Sequence, residues 1–463
     1  MKPSIVWFRD DLRVADNPAL RAAVDDGAAV ALYVLDEESA GLRPHGGASR
    51  WWLHHSLLAL RAELDKLGIP LVLRRGRAFE VVQELTTTPG AGALYWNRRY
   101  GAAERTVDAG IKAWAREAGL HVSSFQASLL HEPWNVTTKT GGQYKVFTPF
   151  WRTVSAQDFR EPLPVPEAGH GYAGAMAESD DLESWSLLPT KPDWAGGLAQ
   201  AWTPGAAAGH KRLARFVSEG LSNYSEGHNR PDTDGSSGLS PYLRWGELSP
   251  YEVWHALGEK RSESSSIFAS ELGWREFCWH QYFHNPQLAT ANLRPEFDRF
   301  PWAWPGSDGS NGREPGHDGA PREFRAWKKG ITGFPLVDAG QRQLWTTGWM
   351  HNRVRMVAAS FLVKNLGIHW QLGEQWFWDT LVDADPASNP ANWQWVAGSG
   401  ADASPFFRIF NPEGQRTKFD PQGKYIAHWI PEFGTPDYPE GIVDLKTTRA
   451  EALEAYKGMR EVH

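Results

Sequence analysis

The sequence predicts an N-terminal α/β domain with a doubly wound parallel sheet, a long linker and a C-terminal all-helical domain. Three observations support this. Short β-rich runs alternate with helical text over residues 1–130, a segment rich in Pro, Gly and acids fills 131–204, and helical periodicity dominates 205–463. A chain of 463 residues is also long for a single hydrophobic core.

Four short apolar runs, separated by segments with helical periodicity, predict the first domain. The candidate strands are Ile5–Phe8, Val30–Leu35, Leu71–Leu73 and Leu94–Trp96, and helices are predicted over 51–67 and 104–117. Asn17-Pro18 indicates an N-cap followed by proline at the first helical position. No G-x-G-x-x-G follows the first strand and no P-loop occurs, so a nucleotide would not be held in the usual dinucleotide-fold manner.

The linker and one later segment carry loop composition. EPLPVPEAGHG and LLPTKPDWAGG lie within 131–204 and predict a wrapping segment without elements of its own. Residues 303–321 predict an exposed loop.

Composition narrows the class of protein. No stretch approaches the roughly 18 apolar residues of a membrane span, and the start MKPSIVWFRDDLRV lacks signal-peptide anatomy, so we expect a cytoplasmic protein. The single cysteine, Cys278, excludes an internal disulfide, a structural zinc site and a Cys-ligated iron–sulfur cluster. The net charge is −7, yet residues 322–364 carry eight Lys and Arg against two acids, which suits a nucleic-acid partner met on one face.

The segment DGSSGLSPYLRWGELSP (234–250) places two hydroxyls, Ser236 and Ser237, before a helix start at Ser240-Pro241. Hydroxyls and free N–H groups at such a place favour a phosphate. The alternative is a capped helix without a ligand.

The segment LVDADPASNPANWQW (381–395) contains Asp383, Asp385 and Asn389. Two close carboxylates suit a polyhydroxy ligand better than a metal, because no histidine stands at ligand spacing. A polar loop between helices is the alternative.

Two helical segments carry a third group of candidates. In TGWMHNRVRM (347–356), Asn352 and Met356 share a helix face beside the arginines and Trp349, which suits an anionic strand with an apolar group at its centre. In SELGWREFCWHQYF (270–283), Glu271, Trp274 and Arg275 share a face, which predicts a carboxyl of raised pKa in an apolar cleft. The alternatives are a solvated basic helix end and a Glu271–Arg275 salt bridge.

Together these segments resemble the photolyase/cryptochrome family over nearly the whole chain. The motifs that carry the resemblance are WFRDDLRVADNPAL, GQYKVFTPFW, ITGFPLVDAGQRQLWTTGWMHNRVRM, LVDADPASNPANWQWVAGSGADASPFFRIFNP and KFDPQGKYIAHWIPE. Several long motifs in the right order are far more specific than any one of them.

The resemblance implies FAD in the helical domain and assigns residues to it. The implied phosphate contacts are Tyr224, Ser236, Ser237, Gly238, Leu239 and Ser240, and the remaining cofactor contacts are Glu271, Trp349, Asn352, Asp383, Asp385 and Asn389, with Asn389 facing the flavin's central-ring nitrogen. The implied lesion-binding residues are Trp274, Arg275, Asn352, Arg353, Arg355, Met356 and Trp395. The implied reducing relay is Trp393, Trp370 and Trp302, with Trp304 as the alternative outermost ring.

The implied activity is light-driven repair of cyclobutane pyrimidine dimers in UV-damaged DNA by a monomeric flavoprotein without a metal. Met356 favours the cyclobutane-dimer branch, and GGASRWWLHHSL resembles both class I and class III enzymes. A cryptochrome-like blue-light photoreceptor is the alternative, and a light-independent flavin oxidoreductase would need a nicotinamide site that is not visible. The lesion set is complete, which favours repair.

Three positions depart from the family pattern. Gly238 stands where an arginine or larger residue is expected, which predicts looser flavin retention, and Gln341 stands in place of a methionine. In WNRRYGAAE, Glu104 is retained but Ala103 replaces an amide, so a second chromophore in the N-terminal domain could be a folate, a deazaflavin or absent.

Overall fold

The computed structural model describes residues 2–303, 322–403 and 407–461. Trp304 and nearly all of the predicted loop 303–321 lie outside the described residues. Both predictions therefore stay predictions.

The N-terminal part is a five-stranded parallel sheet. Its strands are β1 (Ser4–Phe8), β2 (Ala29–Leu35), β3 (Leu71–Arg75), β4 (Ala93–Asn97) and β5 (His121–Phe125), in the order β3-β2-β1-β4-β5. All residues of β1, β2 and β4 are buried, as expected where helices cover both faces of a parallel sheet. The four predicted strands and the parallel sheet are confirmed, and β5 was not predicted.

Four helices pack on this sheet: α1 (Pro18–Asp26), α2 (Gly47–Leu67), α3 (Ala78–Thr87) and α4 (Ala102–Glu117). The predicted cap is present, because Asn17 Oδ1 accepts a hydrogen bond from the Leu20 backbone N–H at 3.0 Å. Helices α2 and α4 begin a few residues before their predicted starts.

After β5, the described residues form helices joined by loops and turns, with short 3₁₀ and π segments. The helices are α5 (Phe147–Val154), α6 (Gly196–Ala201), α7 (Ala206–Arg215), α8 (Tyr224–Gly227), α9 (Ser240–Arg244), α10 (Pro250–Ala256), α11 (Glu263–His284), α12 (Arg322–Lys329), α13 (Pro335–Thr347), α14 (Asn352–Ser360), α15 (Trp370–Thr380), α16 (Ser388–Ala397), α17 (Pro412–Phe419), α18 (Lys424–Trp429) and α19 (Leu445–Glu461).

The segment 131–204 contains regular structure, so the prediction that it forms no elements is wrong. It holds α5, α6 and a 3₁₀ turn over Leu182–Trp185. Helix α5 is amphipathic and buries Phe147, Phe150 and Val154 against α11. Eight residues suffice for a helix here because tertiary packing of the apolar face stabilises it.

A carboxyl group joins the sheet-covering helix α2 to the helical part. Glu247 is fully buried and accepts hydrogen bonds from Trp52 Nε1 (3.2 Å), Ser56 Oγ (2.5 Å) and the Gly205 N–H (2.7 Å). A second link runs from Arg43, which binds both carboxylate oxygens of Glu374 at 2.7 and 3.0 Å. These contacts fix the helices that carry the candidate site against the sheet.

Candidate functional site

A cavity of about 400 Å³ opens among α11, α14, α15 and α16. It brings together most of the residues that the sequence proposed for cofactor and lesion binding. Those that line it are Glu271, Trp274, Arg275, Asn352, Arg355, Met356, Asp383, Asp385, Asn389, Trp393 and Trp395. A cavity of this size with an apolar wall and a few convergent polar groups is typical of a cofactor site.

The remaining predicted residues do not line the cavity. They are Tyr224, Ser236, Ser237, Gly238, Leu239, Ser240, Trp302, Trp349, Arg353 and Trp370. Ser240 is linked to the cavity, because its hydroxyl donates to Asp383 Oδ2 at 2.6 Å. Trp349 lies 5.8 Å from the Arg355 guanidinium. The loop before α9 therefore adjoins the carboxylate side of the cavity.

The two predicted acids differ in what occupies their oxygens. Asp383 Oδ2 accepts from Ser240 and from Arg355 Nη2 at 2.9 Å, whereas its Oδ1 is buried without a partner among the described residues. Asp385 Oδ1 accepts the N–H groups of Ala387 and Ser388 at the start of α16, and its Oδ2 accepts Trp279 Nε1 at 3.2 Å. Asp385 thus holds the local backbone, and Asp383 keeps an acceptor for a ligand.

Asn389 is oriented from behind by a chain of polar contacts. Its Nδ2 donates to the Glu374 backbone oxygen at 3.0 Å and to Glu374 Oε1 at 2.8 Å. Glu374 is in turn held by Arg43. Because both amide hydrogens have acceptors, the carbonyl oxygen of Asn389 is the polar atom left for the cavity.

Glu271 lies on the other side of the cavity. Burial raises the pKa of its carboxyl group, and electrostatic interactions with His228 and Arg353 oppose that rise only in part. The direction confirms the prediction from its apolar helix face. The alternative of a Glu271–Arg275 salt bridge is wrong, because Arg275 Nη1 donates to the Ser128 carbonyl at 2.9 Å and lies 3.4 Å from Glu276.

Trp274, a residue of the apolar wall, is backed by a ring that the sequence did not single out. Phe147 of α5 stacks on Trp274 with a centroid distance of 3.8 Å and an interplanar angle of 8°. Trp395 and Met356 complete this wall. The amphipathic pattern FTPFW was the available signal, and the surrounding Pro- and Gly-rich composition concealed it.

The two arginines of α14 point in different directions. Arg355 faces the cavity, where it donates to Asp383 and to the Met350 carbonyl at 2.7 Å. Arg353 leaves the cavity, donates from Nε to Asn229 Oδ1 at 3.1 Å and lies 4.5 Å from the Phe419 ring. Arg353 therefore stands outside the cavity proper.

The basic segment 322–364 does not act as one patch. Lys364 is buried, donates from Nζ to the Ala397 carbonyl at 2.7 Å and lies 3.0 Å from the Phe407 ring centroid, and burial lowers its pKa well below the usual value. Arg342 forms an ion pair with Glu432 at 2.6 Å. A cation outside the segment, Arg408, lies 5.0 Å from the cavity-lining Trp395 and was missed because the sequence count stopped before it.

The proposed relay tryptophans all lie in the helical part. Trp393 packs edge-on to Phe377 at 4.9 Å, and its Nε1 is buried without a partner among the described residues. Gly373 makes room for this ring, because a Cβ there would lie 2.1 Å from the indole. Trp302 contacts His369 at 4.8 Å, and His369 contacts Trp370 at 5.7 Å.

Polar groups also gather at the carboxyl edge of the sheet. Asp10 pairs with Arg244 at 2.7 Å; burial opposes its charged form, but Arg244 and then Arg99 lower its pKa to about 2. Glu104 lies against Gly101, where a Cβ would be 2.1 Å from its Oε2. In the described residues no three His, Cys, Asp or Glu side chains converge as metal ligands, and no described helix is long and apolar enough to cross a membrane.

Comparison with known families matches both parts of the chain. The profile described as DNA photolyase matches residues 4–167, and the profile described as the FAD binding domain of DNA photolyase matches residues 268–458. A deoxyribodipyrimidine photo-lyase of Agrobacterium fabrum is 46% identical over 99% of this chain and 98% of its own length. Cryptochrome-1 of Arabidopsis thaliana is 36% identical over 93% of this chain and 63% of its own length.

Solved structures of photolyases are similar to this chain over nearly its whole length. A bacterial class III photolyase from Agrobacterium tumefaciens superposes with a TM-score of 0.92 and 44% identity, covering 100% of this chain and 98% of its own. An archaeal photolyase from Sulfolobus tokodaii, which holds two FAD molecules, superposes with a TM-score of 0.81 and 28% identity, covering 98% of this chain and 100% of its own. The parallel sheet followed by a helical FAD-binding part is thus the architecture of these relatives.

Proposed function

This chain belongs to the DNA photolyase family, and from that premise we propose that it repairs cyclobutane pyrimidine dimers in UV-damaged DNA by a light-driven reaction that depends on FAD. The observation that carries the proposal is a single cavity that places carboxylate and amide acceptors beside an aromatic wall. The acceptors suit a flavin and the wall suits a pair of flipped-out bases.

The residues present fit FAD. The unpaired Asp383 Oδ1 and the carbonyl oxygen of Asn389 are acceptors for the N–H groups of a reduced flavin. The loop from Ser236 to Ser240 adjoins Asp383 and would hold the phosphates, with Tyr224 behind it. When bound, photoexcited reduced FAD supplies one electron that splits the dimer and then returns.

The chain's own part is to bind and orient the damaged bases. Trp274, Met356 and Trp395 exclude water and pack against the dimer. Burial raises the pKa of the Glu271 carboxyl group and so favours its protonated form, which would donate a hydrogen bond to a pyrimidine carbonyl. Arg353 and Arg408, outside the apolar wall, contact phosphates and position the strand.

Three further assignments belong to the same proposal. Trp393, Trp370 and Trp302 form the route that reduces the flavin from the surface. The enzyme acts as a monomer and falls in class III, which the 44% identity to the Agrobacterium tumefaciens enzyme supports. The alternatives for a second chromophore, folate, deazaflavin or none, are separated by the absorption spectra of the chromophores extracted from the purified protein.

A blue-light photoreceptor is the second candidate function, because the identity to cryptochrome-1 extends over 93% of this chain. The deciding experiment illuminates chemically reduced protein with matched oligonucleotides carrying a cyclobutane dimer, a (6–4) product or no lesion, and keeps a dark control. Repair predicts tighter binding to the cyclobutane dimer and its light-dependent loss. Equal weak binding to all three with no reversal would favour the photoreceptor.

A further inference from the structure

Gly238 lies in the loop from Ser236 to Ser240, which we call the phosphate loop, at a position where the backbone is left-handed. Its φ is +62°, and a Cβ built on it would lie 2.2 to 2.5 Å from the guanidinium of Arg212. A side chain at 238 and the present position of Arg212 therefore exclude each other. The arginine comes from α7, which lies elsewhere in the sequence but packs against this loop.

Arg212 is fixed to the loop but keeps donors free. Its Nε donates to the Ser237 carbonyl at 2.9 Å, and its guanidinium lies 5.6 Å from the Trp202 ring. Neither terminal nitrogen makes a hydrogen bond to any residue the structure describes, and the nearest carboxylate, Asp234, is 4.0 Å away. The side chain is 30% exposed. The two terminal NH₂ groups of Arg212 are thus held at the loop without an acceptor among the described residues.

The acids near the loop have other partners. Asp234 pairs with Arg215 at 3.0 Å, and Asp232 pairs with Arg230 at 2.6 Å. Arg212 therefore keeps a positive charge that these contacts do not neutralise. Helix α9 has only five residues, so its dipole adds little charge, and a diphosphate bound at this loop needs a cation from a side chain.

We propose that Arg212 is the pyrophosphate-binding cation of this chain and that it replaces, from α7, the charge that Gly238 removes from the loop. The inference rests on the proposed FAD site. It reverses the expectation that Gly238 loosens flavin retention, because the charge is supplied in the same space by a different residue. Gly238 is then required, since any side chain there would displace the guanidinium.

The test measures release of FAD from the purified holoprotein by the fluorescence of the freed cofactor after dilution. We compare Arg212→Ala, Arg212→Gln and, as the matched control on the same helix, Lys211→Ala, whose side chain is exposed. Loss of charged hydrogen bonds predicts release about tenfold to thirtyfold faster in both Arg212 variants and an unchanged rate in Lys211→Ala. Raising the salt concentration should accelerate release from the wild type more than from Arg212→Gln.

The glutamine variant separates charge from structure, because its amide still donates to the Ser237 carbonyl. Release from Arg212→Ala at the wild-type rate, a wild-type rate restored by Arg212→Gln, or equally fast release from Lys211→Ala would each overturn the proposal. If Arg212→Ala has a lowered thermal midpoint, its faster release could come from unfolding, and the release rate of Arg212→Gln is then the measurement that tests the proposal. A wild type that carries no FAD would contradict the proposed function, whereas unchanged release from a flavin-bearing variant contradicts only the role of Arg212.

Discussion

Glu247 and Glu271 lie in two different regions of the molecule, and burial raises the pKa of both carboxyl groups, that of Glu247 to about 8. At the contact between α2 and the helical part, Glu247 has three hydrogen-bond donors. In the cavity, Glu271 has none among the described residues. A buried polar group with all its partners in the protein holds the fold, and one without them is available to a ligand.

The same distinction separates two tryptophans and predicts the largest effect. Trp52 Nε1 donates to Glu247, whereas Trp393 Nε1, beside the cavity, has no partner in the part of the chain that the structure describes. We expect Trp393→Phe to lose photoreduction of oxidised flavin while it still repairs dimers after chemical reduction, because only the charging route is cut. Absorbance of the flavin under blue light measures this. Trp52→Phe is the control, and normal photoreduction by Trp393→Phe would show that the relay assignment is wrong.

The second-largest effect is expected for Asp383 and Asp385, the two aspartates of the cavity. Asp383 keeps an unpaired oxygen and Asp385 caps α16. We expect Asp383→Ala to release FAD about tenfold to hundredfold faster, since it loses a charged acceptor, and to destabilise the flavin-free protein less than Asp385→Ala, because it breaks no backbone contact. Asp385→Ala should lower the denaturation midpoint with and without flavin. Identical behaviour of the two variants in both measurements would contradict the distinction.

The pH dependence of the unfolding free energy tests the Glu247 carboxyl group, which lies at the contact between α2 and the helical part. The folded protein keeps the Glu247 proton up to a pH of about 8, whereas the unfolded chain releases it near the ordinary pKa, so stability falls as pH rises between these values. We expect the wild type to lose about 3.5 kcal/mol of unfolding free energy between pH 5 and 8 through this group, since each pH unit between the two pKa values changes it by about 1.4 kcal/mol.

Glu247→Gln serves as the variant for that series, because an amide cannot release a proton in this range. Denaturant titration at the two pH values should give it a smaller difference than the wild type. An equal difference in both proteins would mean that Glu247 stays charged or that other groups dominate.

The smallest effect is expected in the cavity itself. Glu271→Gln keeps a hydrogen-bond donor and the shape of the wall, so binding of dimer-containing DNA should change by less than about twofold and the quantum yield of repair should fall a few-fold. Binding and single-flash repair assays separate the two quantities. A large loss of binding with an unchanged yield would make Glu271 a binding residue only.

Local pattern was enough to predict much of the fold. Buried strands, the Asn17 cap and the shared helix face of Glu271 and Trp274 follow from period and capping within a few residues. Helix α5 could not be predicted from local pattern, because its stability comes from packing against α11, which lies more than 100 residues away. Its composition alone suggested a linker.

The charges of the site were the least predictable part. Lys364 counts as a cation in the sequence but lies in the core, and Arg212 counts as an ordinary surface residue but lies at the phosphate loop. Net charge over a segment says nothing about which side chains face the same space. Only the packing of α7 beside the loop and of Lys364 beneath Phe407 decides this.

The stack of Phe147 on Trp274 has a consequence for engineering. Trp274 in the wall of the cavity stacks on Phe147, which lies more than 50 positions before residue 205, and Arg43 from still earlier in the chain holds Glu374 behind Asn389. The helical part therefore depends on side chains that lie outside it. Transferred to another protein as residues 205–463, it would keep Asp383 and Asp385 but leave Trp274 without its stacking ring and Asn389 without its anchored acceptor.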